Sequence, residues 1–227
     1  MGTILNEWLD EYIGCAQRCF GDRVLFVGLQ GSHGRGEADE DSDIDLVLIL
    51  DRANAEDLRA YDVAISTLTQ REKICGFISG RDELRCWSKA DLFQFYHDTT
   101  PLLGDLAPLL PVISTEDVRQ AIVFGACTIY HLCGHNIVHE KSPDILQGLY
   151  KSAVFVMQAV HFQRTGRYFK AHRELLAALP ANERTLLTTY LQGKSTGKAA
   201  GVFSADFTTL SSSLFAWSGQ VIREYGS

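Results

Sequence analysis

Two apolar runs joined by a glycine-rich polar loop, RVLFVGLQGSHGRGEADEDSDIDLVLIL from Arg23 to Leu50, constrain this chain more than any other stretch. Val24 to Leu29 is rich in β-branched and aromatic residues and reads as a buried strand that stops at Gln30-Gly31. Ile44 to Leu50 reads as a second buried strand. Side chains alternate along a strand, so Asp43 and Asp45 share one face while Ile44, Leu46 and Leu48 share the other. Two neighbouring carboxylates repel each other and are costly to bury alone, so the pair calls for a cation or a strongly solvated lip. Magnesium takes one or two carboxylates together with water and phosphate oxygens. The loop supplies the complementary half, because Gly31, Gly34 and Gly36 let backbone N–H groups approach an anion. Ser32 adds a hydroxyl donor or a helix cap.

Simpler readings of the same residues are a plain turn and a capped, solvated Asp pair. A dinucleotide fingerprint fits poorly, since the glycines at 28, 31, 34 and 36 do not give G-x-G-x-x-G before a helix, and a P-loop fails for want of Gly-Lys-Ser/Thr. What favours chemistry is the joint occurrence of glycine, hydroxyl, Arg35 and two carboxylates on one face.

With 227 residues, 46% of them hydrophobic, the chain has material for one large or two small cores. A net charge of −7 without a Lys/Arg cluster offers no electrostatic footprint for duplex nucleic acid, so a small substrate is expected and nucleic acid is not. No run suggests a membrane span, and the acidic start MGTILNEWLDEY lacks the pattern of a secretory leader, so cytoplasmic residence is expected. The cysteines at 15, 19, 75, 86, 127 and 133 lack C-x-x-C spacing and read as reduced, mostly buried thiols.

Apolar positions 5, 8, 9, 12, 13, 16 and 20 predict a helix over Ile4 to Phe20, packed on the sheet. Asn54 predicts the cap of a helix running to about Arg71, with Leu58, Tyr61, Ile65 and Leu68 on one face. Lys73 to Ser79 is a third strand, and the strand–helix–strand return implies a crossover in a mixed or parallel sheet. Leu92 to Tyr96, LFQFY, reads as a further strand, with a helix the alternative at this length. Pro101 to Pro111 is the expected domain boundary, and everything beyond it reads helical. The patterns are Ser114 to about His139, Pro143 to Thr165, Arg167 to Leu179, Ala181 to Gln192 and Asp206 to Tyr225, with Gly193 to Gly201 a polar loop. The expected architecture is an α/β domain over residues 1–110, a mixed sheet with helices, followed by an all-α helical bundle over 111–227.

Gly31-Ser32, the ten residues from His33 to Ser42, then Asp43-Ile44-Asp45 resemble the signature of the DNA polymerase β-type nucleotidyltransferase superfamily, in particular its small bacterial members. Arg35, Gly36, Ser42 and Leu46 match those members too, and the resemblance covers about the first half of the chain. It implies an enzyme that moves a nucleoside monophosphate, AMP by preference, from a nucleoside triphosphate such as ATP to a hydroxyl of a small acceptor, with magnesium. Aminoglycoside-like antibiotics are the acceptors of the best-known similar enzymes. The resemblance assigns the metal to Asp43, Asp45 and a third acid, and the nucleotide to Gly31, Ser32, Arg35 and Ser42. The strand KICGFIS carries no acid, so Asp98 is the preferred third carboxylate, with Asp91 or Glu83 behind it. Arg35 has an alternative as a surface partner of Glu37 or Asp39.

The resemblance places acceptor and base residues in the helical half, where Glu140 and Glu174 are candidate bases. Arg164 to Leu176 resembles a segment of the small-molecule nucleotidyltransferases, and its Tyr168, Lys170 and Arg173 could face the triphosphate. Arg167 and His172 also match a short Arg-x4–6-His pattern of ribonuclease toxins, whose antitoxins are nucleotidyltransferases; a protein-adenylylating antitoxin is therefore one alternative function. A nucleotide-binding module without catalysis is another. His131, His135 and His139 share a helix face near Cys133, a pattern that more often reflects packing or surface than metal. A homodimer is the assembly to test.

Overall fold

The computed structural model describes residues 2–195 and 201–226. The chain divides into two compact units, Met1–Val112 and Ile113–Ser227.

The first unit is a four-stranded sheet in the order β3-β2-β1-β4. Its strands are β1 (Val24–Leu29), β2 (Ile44–Leu50), β3 (Ile74–Gly80) and β4 (Thr100–Leu103). β2 runs antiparallel to β1 and parallel to β3, so the sheet is mixed as expected. One face is covered by α1 (Gly2–Phe20) and α3 (Ala55–Ile65). Trp8, Leu9, Tyr12, Ala16 and Phe20 of α1 pack there against Val27, Leu29, Ile44, Leu46, Leu48 and Leu50. These are the residues the periodicities of 3.6 and 2 place on facing surfaces. Trp8 Nε1 donates to the Thr69 carbonyl at 2.8 Å, and the Tyr12 and Tyr61 hydroxyls meet at 3.0 Å, so buried aromatic polar groups are satisfied.

Asn54 caps α3 as expected, in a reciprocal capping box with Asp57. The helix stops at Ile65 rather than near Arg71, and Leu58 is exposed while Asp57 is buried. The exchange follows from charge. Arg23 Nη1 and Nη2 donate to both Asp57 oxygens at 2.8 and 2.9 Å, and Nε donates to Asp51 at 2.9 Å. That bidentate pair turns the first turn of α3 toward the start of β1.

The expected strand at LFQFY is a helix. α4 (Arg81–Arg85) leads into α5 (Lys89–Asp98), whose Ala90, Leu92 and Phe93 are buried. A short apolar run fits either element, and burial along one helical face decides it. The missing strand is β4, inside the stretch expected to be a linker. Pro101 is tolerated because β4 lies at the sheet edge, pairing only with β1.

The second unit is helical: α6 (Thr115–His135), α7 (Pro143–Thr165), α8 (His172–Ala178), α9 (Ala181–Ser195), α10 (Val202–Ala205) and α11 (Phe207–Tyr225). Ser114 caps α6 with Asp117, and Asn136–Glu140 continues it as a turn of π-helix. α9 reaches Ser195, further than the expected polar loop allowed; residues 196–200 of that loop lie outside those described. By length and composition alone Thr115–Glu140 could cross a bilayer, which the sequence reading had not expected. Within this unit α6 packs against α7 and α11, burying Val118, Ile122, Ala126, Ile129 and Cys133. The thiols are all free, but only Cys15 and Cys133 are buried, whereas Cys75, Cys86 and Cys127 are exposed.

Candidate active site

The site is built where β1 hands over to β2. After Leu29 the chain makes one short helix, α2 (Gly31–Arg35), closed by Gly36 in the left-handed conformation at φ 70°. The Gln30 amide donates to the Asp45 carbonyl at 2.8 Å, so the start of the loop is tied to the strand that carries the acids. Gly31 adopts φ 63°, and a Cβ there would lie 1.8 Å from Asp45 Oδ2. Only glycine allows this approach, and it sets the Asp45 carboxylate directly against the first turn of α2.

A helix cannot satisfy the N–H groups of its own first turn, which here belong to Gly31, Ser32 and His33. Gln30 gives them no side-chain cap. Further along, Gly34, Gly36 and Glu37 spend their amides on Gln30, His33 and Ser32 carbonyls at 2.9, 3.1 and 2.8 Å. Of the loop glycines, Gly31 is thus the one beside amides open to an anion, and Ser32 stands half-buried next to it. Asp43 is exposed and Asp45 half-buried, with Ile44 between them buried against the core.

Arg35 is not presented to solvent. Its side chain is 8% exposed and lies between Glu37 and Asp98, with Nε 3.4 Å from Glu37 Oε2 and Nη1 3.3 Å from Asp98 Oδ2. The partnership with Glu37 is the alternative the sequence offered, realised inside the protein rather than on its surface. Asp98, preferred as third metal ligand, ends α5 as the counter-ion of Arg35. Among the described residues no three His, Cys, Asp or Glu side chains are grouped to hold a metal ion. Asp91 and Glu83 are both exposed, on α5 and α4. Ser42 is engaged in closing the spacer: its Oγ donates to Asp39 Oδ1 at 2.7 Å and accepts from the Asp39 amide at 3.0 Å.

Several residues that sequence reasoning passed over hold this loop. Gln30 Nε2 donates to Thr99 Oγ1 at 2.7 Å, and Thr99 Oγ1 donates to the Phe95 carbonyl at 2.5 Å. Thr100 Oγ1 donates to the Gly34 carbonyl at 3.2 Å, and Lys73 Nζ donates to the Glu40 carbonyl. The signal for Thr99 and Thr100 was a polar cluster behind an apolar run, visible only as the end of a helix once α5 is known.

The Asp pair and the first turn of α2 fit a magnesium ion that takes its remaining ligands from water and substrate phosphates. The fit rests on the Gly31–Asp45 contact, which sets the carboxylate against the first turn of α2.

In the helical unit, Glu140 and Glu174 are exposed. Gln158, buried in α7, donates to the Phe169 and Lys170 carbonyls at 2.9 and 3.4 Å and so fixes the irregular segment before α8. Tyr168 and Lys170 are half-buried and Arg173 is exposed. Arg167 lies over the Phe169 ring at 5.1 Å while His172 is buried beside Tyr190, so these two side chains do not form an exposed ribonuclease-like pair. His131, His135 and His139 are exposed, with the last two rings 4.7 Å apart, and Cys133 is buried.

Residues 10–96 match the family model of the nucleotidyltransferase domain. The first unit is a nucleotidyltransferase domain. Its glycine loop and Asp pair lie within the matched residues. No curated protein matches the chain in sequence. Among solved structures the chain is similar to spectinomycin adenyltransferase AAD(9) from Enterococcus faecialis, solved with ATP and spectinomycin. The TM-score is 0.60 at 12% identity, over 95% of this chain and 98% of that one. At that identity the likeness is one of fold, and it joins a nucleotidyltransferase domain to a mostly helical second part.

Proposed function

We propose that the protein transfers AMP from ATP, with magnesium, to a hydroxyl of a small cationic molecule of the aminoglycoside type. The observation that carries the reading is the contact of Gly31 with Asp45, which joins an anion-accepting helix start to a carboxylate pair. Asp43 and Asp45 would hold magnesium, which when bound neutralises charge on the phosphates. The amides of Gly31 to His33 and the Ser32 hydroxyl bind phosphate oxygens and orient the α-phosphorus for in-line attack. One bond forms between acceptor oxygen and α-phosphorus, the bond to pyrophosphate breaks, and the hydroxyl proton is released. The likeness in fold to an adenyltransferase solved with ATP and spectinomycin supports ATP as donor and a small acceptor. The helical unit would serve acceptor recognition, and the protein would act in the cytoplasm, where ATP is available.

The test is pyrophosphate release from each of the four nucleoside triphosphates with magnesium, over a panel of hydroxylated small molecules including aminoglycosides and spectinomycin. Asp45→Asn keeps the shape and removes the charge, so it should lower acceptor-dependent release at least about a hundredfold without shifting Tm. Near-normal turnover in that variant would refute the metal assignment. A second reading, a triphosphate-binding module without transfer, is favoured by the engagement of Asp98 with Arg35. It predicts ATP binding and no release with any acceptor.

A further inference from the structure

Resting on the nucleotidyl-transfer reading, we infer that Arg35 and Asp98 form a positioning pair that sets the glycine loop for the triphosphate, and that Arg35 is not itself a phosphate ligand. α2 has only five residues, too few for a helix to hold itself in water. Its geometry must come from elsewhere. Three consecutive residues at the junction of α5 and β4 supply it: Asp98 meets Arg35 at 3.3 Å, Thr99 accepts from Gln30 at 2.7 Å, and Thr100 donates to the Gly34 carbonyl at 3.2 Å. Both ends of α2 are gripped from one rim. Thr99 is also packed closely, for a Cβ on Gly28 would fall 2.5 Å from its Cγ2.

Burial argues against a second role for the arginine. The Arg35 and Asp98 side chains are 8% and 11% exposed, and Asp98 Oδ1 already makes no hydrogen bond. Drawing the guanidinium out to reach a phosphate would strand that carboxylate, and a buried charge without its partner is strongly unfavourable. A guanidinium that stays between Glu37 and Asp98 instead fixes Gly36 and the end of α2 relative to the sheet.

The two roles separate in a double-mutant cycle. Equilibrium binding of ATP with magnesium and the KM and kcat of pyrophosphate release are measured for wild type, Arg35→Gln, Asp98→Asn and the double variant. For a positioning pair, each single change should weaken ATP binding and raise its KM by about tenfold, and the double should be no worse than the worse single. Saturating kcat should stay within about threefold, since the reacting groups are untouched. For a phosphate-binding arginine, Asp98→Asn would release it and leave ATP binding equal or tighter while Arg35→Gln weakens it. That opposition, or losses that simply add, would overturn the inference. Thr100→Val removes the bond to Gly34 and provides a variant that keeps the buried charges intact; its KM for ATP should rise about threefold at unchanged kcat. A change in Tm with no change in KM would overturn the positioning role. Wild-type protein that neither binds ATP nor releases pyrophosphate would refute the proposed function itself, an outcome distinct from ATP binding with additive losses.

Discussion

Two arginines flank the first strand and are held in opposite ways. Arg23, just before β1, is half-exposed and meets Asp57 and Asp51 at 2.8 and 2.9 Å in a bidentate fork. Arg35, beyond the other end of β1, is buried and meets Glu37 and Asp98 only at 3.4 and 3.3 Å, leaving Asp98 Oδ1 without a hydrogen bond. The first cluster has the geometry of a group selected to hold the fold. The second tolerates longer contacts and an orphaned oxygen where the glycine loop is attached. Departures from good local geometry concentrate at functional sites, and the two ends of one strand illustrate the contrast.

The largest expected effect breaks the loop end. Gly31→Ala combines a left-handed backbone with a Cβ 1.8 Å from Asp45 Oδ2, so the loop and the carboxylate must move apart. Nucleotidyl transfer should fall about a hundredfold, as for a displacement of about 1 Å in a catalytic constellation, while Tm changes little. Full activity in Gly31→Ala would sink the idea that this contact positions the chemistry.

Asp57→Asn tests the other end, and here stability should respond instead of transfer. The Arg23 hydrogen bonds hold the Asp57 carboxyl below the usual carboxylate range, with burial opposing them. A lowered folded pKa means that the stabilisation is fully present above the ordinary value of about 3.9 and is lost as pH falls through the lowered one. Thermal melts should therefore show Asp57→Asn several degrees less stable at pH 7 and equal to wild type in strong acid. A difference independent of pH would assign the loss to packing.

A third arginine cluster, in the helical unit, should respond least and with opposite sign. Glu183 is buried, 3.7 Å from Arg164, and burial pushes its pKa up despite Arg164 and Trp217. For a raised carboxyl the stability is fully present below the ordinary pKa and is lost as pH rises through the folded value. Glu183→Gln should melt like wild type near pH 4 and at the same or a slightly higher temperature at pH 7. Arg164 keeps Glu224 at 2.9 Å in either case. Marked destabilisation at neutral pH would mean that the ion pair outweighs the burial of its acid.

β1, β2 and the cap of α3 were legible because each is encoded locally, by alternation, by a glycine stop and by an Asn followed three residues later by an acid. The burial of Ile44 between the exposed Asp43 and the half-buried Asp45 was legible for the same reason, since alternation needs only the period of 2. LFQFY was not, because four apolar residues around Gln94 are too few to show a period, and the choice of helix rests on which side chains are buried. β4 was hidden by Pro101, a residue that argues against strands in general but not at an edge. The burial of Arg35 depends on Asp98, 63 residues away in sequence, and no local rule reports a contact of that range. Sequence spacing proposes the site; tertiary contacts show which of its polar residues are engaged with other parts of the protein, as Arg35 is with Glu37 and Asp98.

Cys75 pairs in parallel register with Asp45 on the neighbouring strand and is exposed, which places a native thiol beside a candidate metal-binding carboxylate. Paired residues in a parallel ladder project from the same face, so oxidation or alkylation of this cysteine would alter the surroundings of the acid. The redox history of a preparation thus becomes a variable in any assay of this protein. With Cys86 and Cys127 replaced, the same adjacency would make Cys75 a chemical reporter on that carboxylate.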